Sequence, residues 1–219
     1  MVLAALLGIT LYQLALNFGE RLVPAAEASL IIATEPLLIV ILARAVLSER
    51  VRPAGWVGVG LGLAGVGLMA FRPGSSFAFT ADALSVLAAS LSAGVYLILQ
   101  KPLLARYSPL QFTIYSVLFG TVPLLLAFPQ LIASWPRAPL STDLTVVYLG
   151  VFPAALANLS WNAALQSLPA NLAGNLLFLN PLLASLVAAL WTGEVLGARV
   201  LLGGAAVLGS LLLAGWTGR

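Results

Sequence analysis

The sequence predicts an all-α integral membrane protein with eight transmembrane helices, and three observations carry that expectation. The first is composition: of 219 residues 61% are hydrophobic and 8% charged, with a mean hydropathy of +1.07. A soluble domain carries about 25% charged residues, so water is not the solvent for most of this surface. The second is length. Eight apolar runs stand out, at 3–18, 26–47, 55–71, 81–100, 109–128, 144–165, 170–192 and 199–216. Most approach the roughly 20 residues that a spanning helix needs. The third is pattern. The runs are rich in Leu, Ala and Gly and do not alternate in polarity, as barrel strands would. With backbone groups to be satisfied inside the bilayer, helices are the remaining solution.

Each run is bounded by residues that do not continue a helix well. The first ends at Glu20-Arg21-Leu22-Val23-Pro24, and the second at Ser48-Glu49-Arg50-Val51-Arg52-Pro53. The third, dense in glycine, stops at Arg72-Pro73-Gly74. Lys101-Pro102 through Ser108 closes the fourth, and a Pro-rich stretch at 129–143 closes the fifth. Ser167-Leu168-Pro169 separates the sixth from the seventh, and Gly193-Glu194 the seventh from the eighth. Pro and Gly act here as punctuation. Within the third run, Gly58-x-x-x-Gly62 allows close helix approach. Packing within the chain is its plain use, and a homodimer face is the other.

The net charge of +3 comes from basic residues scattered at run ends, so they read as topology markers rather than a nucleic-acid surface. Arg50, Arg52, Lys101, Arg106 and Arg219 fall on one side, with Arg44 just inside a helix end. Arg21, Arg72, Arg137 and Arg199 fall on the other. The short loops place the Arg50/Arg52 loop and both termini in the cytoplasm. The first run lacks a basic leader and reads as a spanning helix, not a signal peptide. There is no cysteine and no histidine, which removes thiolate nucleophiles, Ser-His triads, His proton relays and Cys/His metal sites. No Gly-x-Ser-x-Gly elbow and no phosphate-binding P-loop is present. No catalytic residue, metal or cofactor is expected.

Sliding the chain against itself by 145 residues brings Asn17 onto Asn162, Pro24 onto Pro169 and Ala28 onto Ala173. It also aligns Pro36 with Pro181, Glu49 with Glu194 and Gly58 with Gly203. Two prolines and a glutamate holding one offset across three helices point to an internal repeat. The copies start five helices apart, an odd number, so they enter the membrane from opposite faces as an inverted repeat. The fourth and fifth helices then lack partners. The pattern asks for a five-plus-five architecture whose first two helices precede Met1. The expected units are residues 1–72, an incomplete three-helix repeat, and residues 80–217, a five-helix repeat.

The doubled pattern resembles the EamA family of the drug/metabolite transporter superfamily. Its first copy reads Ala26-Glu27-Ala28-Ser29, Thr34-Glu35-Pro36, Ser48-Glu49, then a Gly-rich helix. The second reads Ala170-Asn171-Leu172-Ala173-Gly174, Asn180-Pro181, Gly193-Glu194. Residues 81–108 resemble the helix opening the family's second repeat, with Tyr96 and Lys101 at its aromatic and basic positions. The resemblance implies a secondary transporter that exports or imports small metabolites, amino acids or drugs by alternating access. It also implies a bacterial cytoplasmic (inner) membrane. A lipid-linked sugar flippase of the same superfamily and a non-transporting scaffold subunit are the alternatives. The partners expected are a small-molecule substrate, the lipid bilayer and protons as coupling ion.

Polar groups inside the runs are the candidate site residues, because such groups need a partner or a water-filled cavity. Gln13 and Asn17 share one helical face; Asn158, Trp161 and Asn162 share another; Asn171 and Asn175 share a third. Tyr96 and Gln100 share a fourth, with Ser92 a turn earlier, and Asn180 lies beside Pro181. Pro36 and Pro181 are expected to kink their helices and free backbone carbonyls. Glu35 is the most informative residue, an acid well inside a run whose repeat mate, Asn180, is neutral. An intramembrane charge is costly, so Glu35 reads as a group that binds a substrate ammonium or couples protons, or else as a structural acid bonded to a neighbouring helix. Glu49 and Glu194, at helix ends, read as interfacial and structural.

Overall fold

The computed structural model describes residues 1–21, 23, 28, 31–70, 81–192 and 197–216. Among them there is no strand, and every run holds helix. In chain order these are α1 (Val2–Gly19), α2 (Glu35–Val46), α3 (Pro53–Ala70), α4 (Ala81–Leu104) and α5 (Pro109–Ala133). Then follow α6 (Leu140–Ser167), α7 (Ala170–Leu176), α8 (Leu179–Thr192) and α9 (Ala198–Trp216). Among the described residues six stretches are long and apolar enough to cross a bilayer: α1, α3, α4, α5, α6, and α7 with α8 together. The apolar part of α9, Ala198–Ala214, falls just short, and α2 has 12 residues. Pro24, Glu27, Arg72, Ser75, Glu194, Arg219 and the expected unit limits at 72, 80 and 217 lie outside the described residues.

Several helices depart from regular α geometry at identifiable residues. In α6 the stretch Gly150–Ala157 widens to a π-helix around Pro153, which has no N–H to give. In α5, Val122–Ala127 tightens to 3₁₀ beside Pro123. In α1 the π stretch Leu6–Leu11 faces α4, and there the Ser92 hydroxyl donates to the Leu7 carbonyl at 2.8 Å. Thr10 ties the same stretch to α5, its hydroxyl donating to the Gly120 carbonyl at 2.6 Å.

The most extensive contact in the molecule is between α3 and α9, and glycine makes it possible. A Cβ added to Gly203 would lie 2.5 Å from the Gly65 carbonyl oxygen, and one on Gly65 would lie 2.6 Å from the Gly203 oxygen. Gly58 faces the Ser210 carbonyl, and Gly62 faces the ring of Phe178. The Gly58/Gly62 stripe is therefore used inside the chain, by the small-residue packing of membrane helices. Gly60 and Gly67, on the outward side of α3, meet nothing.

Two apolar clusters organise the rest. One joins Ile39 and Ala43 of α2, Leu97 and Ile98 of α4, Phe112 of α5 and Ala173 of α7, with Met1, Leu47 and Leu103 against it. The other joins Val40, Val59, Val66, Phe178 and Val207. Large apolar side chains elsewhere are bare, with Leu126, Leu190 and Trp191 at least 87% exposed. The first half of α6 is exposed apart from the half-buried Asp143. Such a surface suits hydrocarbon rather than water.

Candidate functional site

The site is built on two helix breaks. After Ile32 the chain turns at Ala33-Thr34 before α2 starts at Glu35. After Leu176 it turns at Leu177-Phe178 before α8 starts. Proline is tolerated in a first turn, where its missing N–H has no intrahelical use, so Pro36 and Pro181 fall just inside new helices. The expected mid-helix kinks are therefore interruptions, and Glu35 sits in the first turn of α2 rather than mid-helix. The Ile31 carbonyl, left without a helical partner, accepts from the Thr34 N–H at 3.0 Å and hydroxyl at 2.6 Å, and from the Ser90 hydroxyl at 3.3 Å. At the second break the Leu177 and Phe178 N–H groups donate to Gly174 and Asn175, both at 3.1 Å.

Between the breaks lies a cavity of 270 Å³. Glu35 and Pro36 line it from α2, and Asn180 and Pro181 from α8. Ile32 and Leu177, and Ala33 and Phe178, complete four pairs, each separated by the same 145 residues found in the sequence. The Glu35 carboxylate has no hydrogen-bond partner among the described residues. It also lies where the N-terminal dipole of α2 favours an anion. Cation recognition and helix capping are both open to this group, and substitution separates them below.

At one end of the bundle a second space, a cleft of 460 Å³, is lined by charged residues including Glu49, Arg50 and Lys101. Ser48, in the left-handed region at φ 54°, reverses the chain after α2, and the Glu49 N–H returns to the Ala43 carbonyl at 3.1 Å. The Glu49 carboxylate then accepts from the Ala170 and Asn171 N–H groups at 2.8 and 3.0 Å, and from Asn171 Nδ2 at 2.6 Å. It caps the start of α7 from 121 residues away in sequence. Lys101 caps the end of α6, donating through Nζ to the carbonyls of Leu165, Gln166 and Leu168 at 2.7, 3.3 and 2.6 Å. Opposite charges thus complement opposite helix ends on either side of the Ser167–Pro169 corner.

The other candidates divide. Asn162 is buried; it accepts from Gln100 Nε2 and donates to Thr113 Oγ1 at 2.7 Å, joining α4, α5 and α6. Tyr96 packs on the Phe112 ring at 6.2 Å and on Gly8, and Trp161 lies against the same apolar cluster. Asn175, 3% exposed, donates to the Asn171 carbonyl at 2.8 Å and lines the cleft, its Oδ1 without a partner. Asn158 is half-buried and does not line the cavity. Gln13 and Asn17 are exposed, and Asn17 Nδ2 folds back onto the Gln13 carbonyl at 2.7 Å. Spacing put those two on one face but could not say which way the face looks. Sequence reasoning missed the partners of Glu49 and Lys101, and the roles of Thr113 and Phe178.

Residues 1–71 and 81–216 match the EamA-like transporter family. The chain belongs to this family. A protein of Streptantibioticus cattleyicolor described as a probable terminal-alkyne amino-acid exporter is 38% identical over 206 residues, 94% of this chain and 69% of its own length. The uncharacterized transporter YdfC of Bacillus subtilis is 31% identical, over 95% of this chain and 68% of its own. The aromatic amino acid exporter YddG of Ancylobacter novellus is 26% identical, over 76% of this chain and 58% of its own. A crystal structure superposes with a TM-score of 0.81 at 23% identity, covering this EamA chain completely and 76% of the other; that likeness concerns the fold. The EamA chain is a multi-pass membrane protein of a transporter family, not an enzyme.

Proposed function

We propose that the cavity between the two breaks is the substrate site of an alternating-access transporter for amino acids and similarly small metabolites. The observation that carries this is that Glu35 and Asn180 line one cavity between two interrupted helices, the Glu35 carboxylate having no hydrogen-bond partner among the described residues. Interrupted helices at a repeat interface are where secondary transporters hold their solutes. Glu35 offers a counter-ion to an ammonium, and Asn180 offers neutral hydrogen bonding. The cavity's 270 Å³ is just below the roughly 300–1,000 Å³ of drug-sized ligand pockets, which favours an amino-acid-sized solute over a drug or lipid-linked sugar. The names of the Streptantibioticus and Ancylobacter relatives point the same way. In this reading residues 1–72 and 80–217 are the two inverted repeats and protons are the coupling ion. The membrane is the bacterial cytoplasmic one.

Three substitutions at Glu35 test the reading in proteoliposomes with labelled amino acids. If Glu35 pairs a substrate ammonium, Glu35→Gln weakens binding by about 1.5–3 kcal/mol, roughly 10- to 150-fold. If it couples protons, Glu35→Gln abolishes gradient-driven accumulation while exchange persists. Glu35→Asp retains part of either activity. Full gradient-driven transport and unchanged affinity in Glu35→Gln, with Glu35→Leu only less stable in detergent, would leave Glu35 as a helix cap and reject the site.

Orientation is tested separately. With the Arg50 loop cytoplasmic, a cysteine at Ser141 reacts with impermeant thiol reagent added outside, and one at Arg50 does not. The chain has no native cysteine to confuse the readout. The reverse pattern inverts the topology.

A further inference from the structure

We propose that the charged cleft and the central cavity are two halves of one route, closed at Phe178, which acts as a valve seated on Gly62. This takes the cavity to be the transport site.

The helices that line both spaces give the register. On α3, Gly55 lines the cleft and Val66 the cavity, and Gly62 lies between them. Along α7 and α8, Asn175 lines the cleft and Pro181 the cavity, with Phe178 between. From Asn175 to Phe178 is three residues, about 4.5 Å of helical rise, so the two spaces come within about one turn of each other along α7 and α8, whereas along α3 Gly55 and Val66 stand about 16.5 Å apart. A packed cluster of apolar side chains occupies the interval. Val40 of α2, Val59 of α3, Phe178 of the α7–α8 break and Val207 of α9 belong to one cluster and are each no more than 1% exposed. A dry apolar constriction of this kind stops polar solutes and water without any charge.

Phe178 is the member of the cluster placed to move. It lies in the break, outside regular helix, while the three valines stand on continuous helices. Its ring fills the space a side chain at position 62 would take: a Cβ on Gly62 would lie 2.6 Å from Cδ2. Its counterpart 145 residues earlier is Ala33, at the other break and on the same cavity. The cavity thus has a bulky aromatic toward the cleft and a methyl group at the equivalent place. Rotation of the break would lift the ring from Gly62 and join the spaces.

The test uses thiol labelling, not transport. Single cysteines are placed at Ala184, which lines the cavity, and at Ser167, which lines the cleft, and impermeant reagent is supplied only from the Arg50 side at 4 °C. Ser167→Cys should react readily in every background and Ala184→Cys slowly in the parent. Phe178→Ala should speed Ala184→Cys by about 10-fold or more, the factor that corresponds to 1.4 kcal/mol of closure. Phe178→Leu should give a smaller increase, and it decides the matter if Phe178→Ala does not fold. Equal rates at Ala184→Cys and Ser167→Cys in the parent, or no change at Ala184→Cys on shortening Phe178, would overturn the valve. Because Glu35 is intact in all these proteins, that result would leave the substrate site standing. Conversely, loss of the Glu35 reading would leave a Phe178-dependent barrier in place.

Discussion

Gly203→Val should cost about 3 kcal/mol and leave little monodisperse protein in detergent, because the new side chain meets the Gly65 carbonyl, a backbone group that cannot turn aside, as well as Cγ of Met69. The α3–α9 contact is the largest in the chain and is made backbone to backbone, so the helices must separate rather than repack locally. Gly65→Val should do the same from the other side. Gly60→Val and Gly67→Val provide the contrast, since both positions open onto empty space on the same helix. They should leave thermal stability and oligomeric state unchanged. Equal loss in all four variants would mean that helix propensity, not helix approach, decides. A change of oligomeric state confined to Gly60→Val and Gly67→Val would instead mark the outward face as a dimer contact.

Glu49→Ala should destabilise the protein by about 2–4 kcal/mol, since hydrogen bonds to a charged acceptor are worth about 1.5–3 kcal/mol each and this acceptor takes three in a half-exposed setting. On the scaling for chains of this length, the midpoint of thermal unfolding should fall by roughly 4–16 °C. Glu49→Gln should recover part of the loss, since one amide oxygen still accepts. Lys101→Met should also destabilise, by uncapping the other side of the Ser167–Pro169 corner. Glu20→Ala, at an exposed site, serves as the control. If Glu49→Ala and Glu20→Ala shift the midpoint equally, the cap is not holding the corner.

The helical runs were legible because a bilayer demands long apolar segments, and the paired prolines were legible because an offset of 145 residues survives the Leu-rich background. What the runs concealed was the interruption within them. In the run at 26–47 Thr34, Glu35 and Pro36 mark the place, but apolar residues resume at Leu37 and the same residues suit a kinked continuous helix as well as an interruption. Facing was illegible for a related reason. In water, a polar pair such as Gln13 and Asn17 would mark the outside. In a membrane, apolar residues cover both the packed and the lipid face, so a shared face carries no direction. The roles of Glu49 and Lys101 were hidden because their partners are backbone groups, which every residue carries. Phe178 on Gly62 and Asn162 between Gln100 and Thr113 depend on approaches between helices distant in sequence, and spacing along one helix does not reveal them.

The two caps at the Ser167–Pro169 corner also set a timetable for biosynthesis. Glu49 leaves the ribosome 121 residues before Ala170, and Lys101 leaves 64 before Leu165. At roughly 5–20 residues per second, the Glu49 carboxylate waits about 6–24 s for the backbone it will cap. Until its partners arrive, each charge must be kept by water, headgroups or the insertion machinery, which is feasible for residues at helix ends and costly for residues deep in hydrocarbon. Arrival of the corner then exchanges that temporary solvation for fixed backbone partners, joining the early and late parts of the nascent chain in one late step.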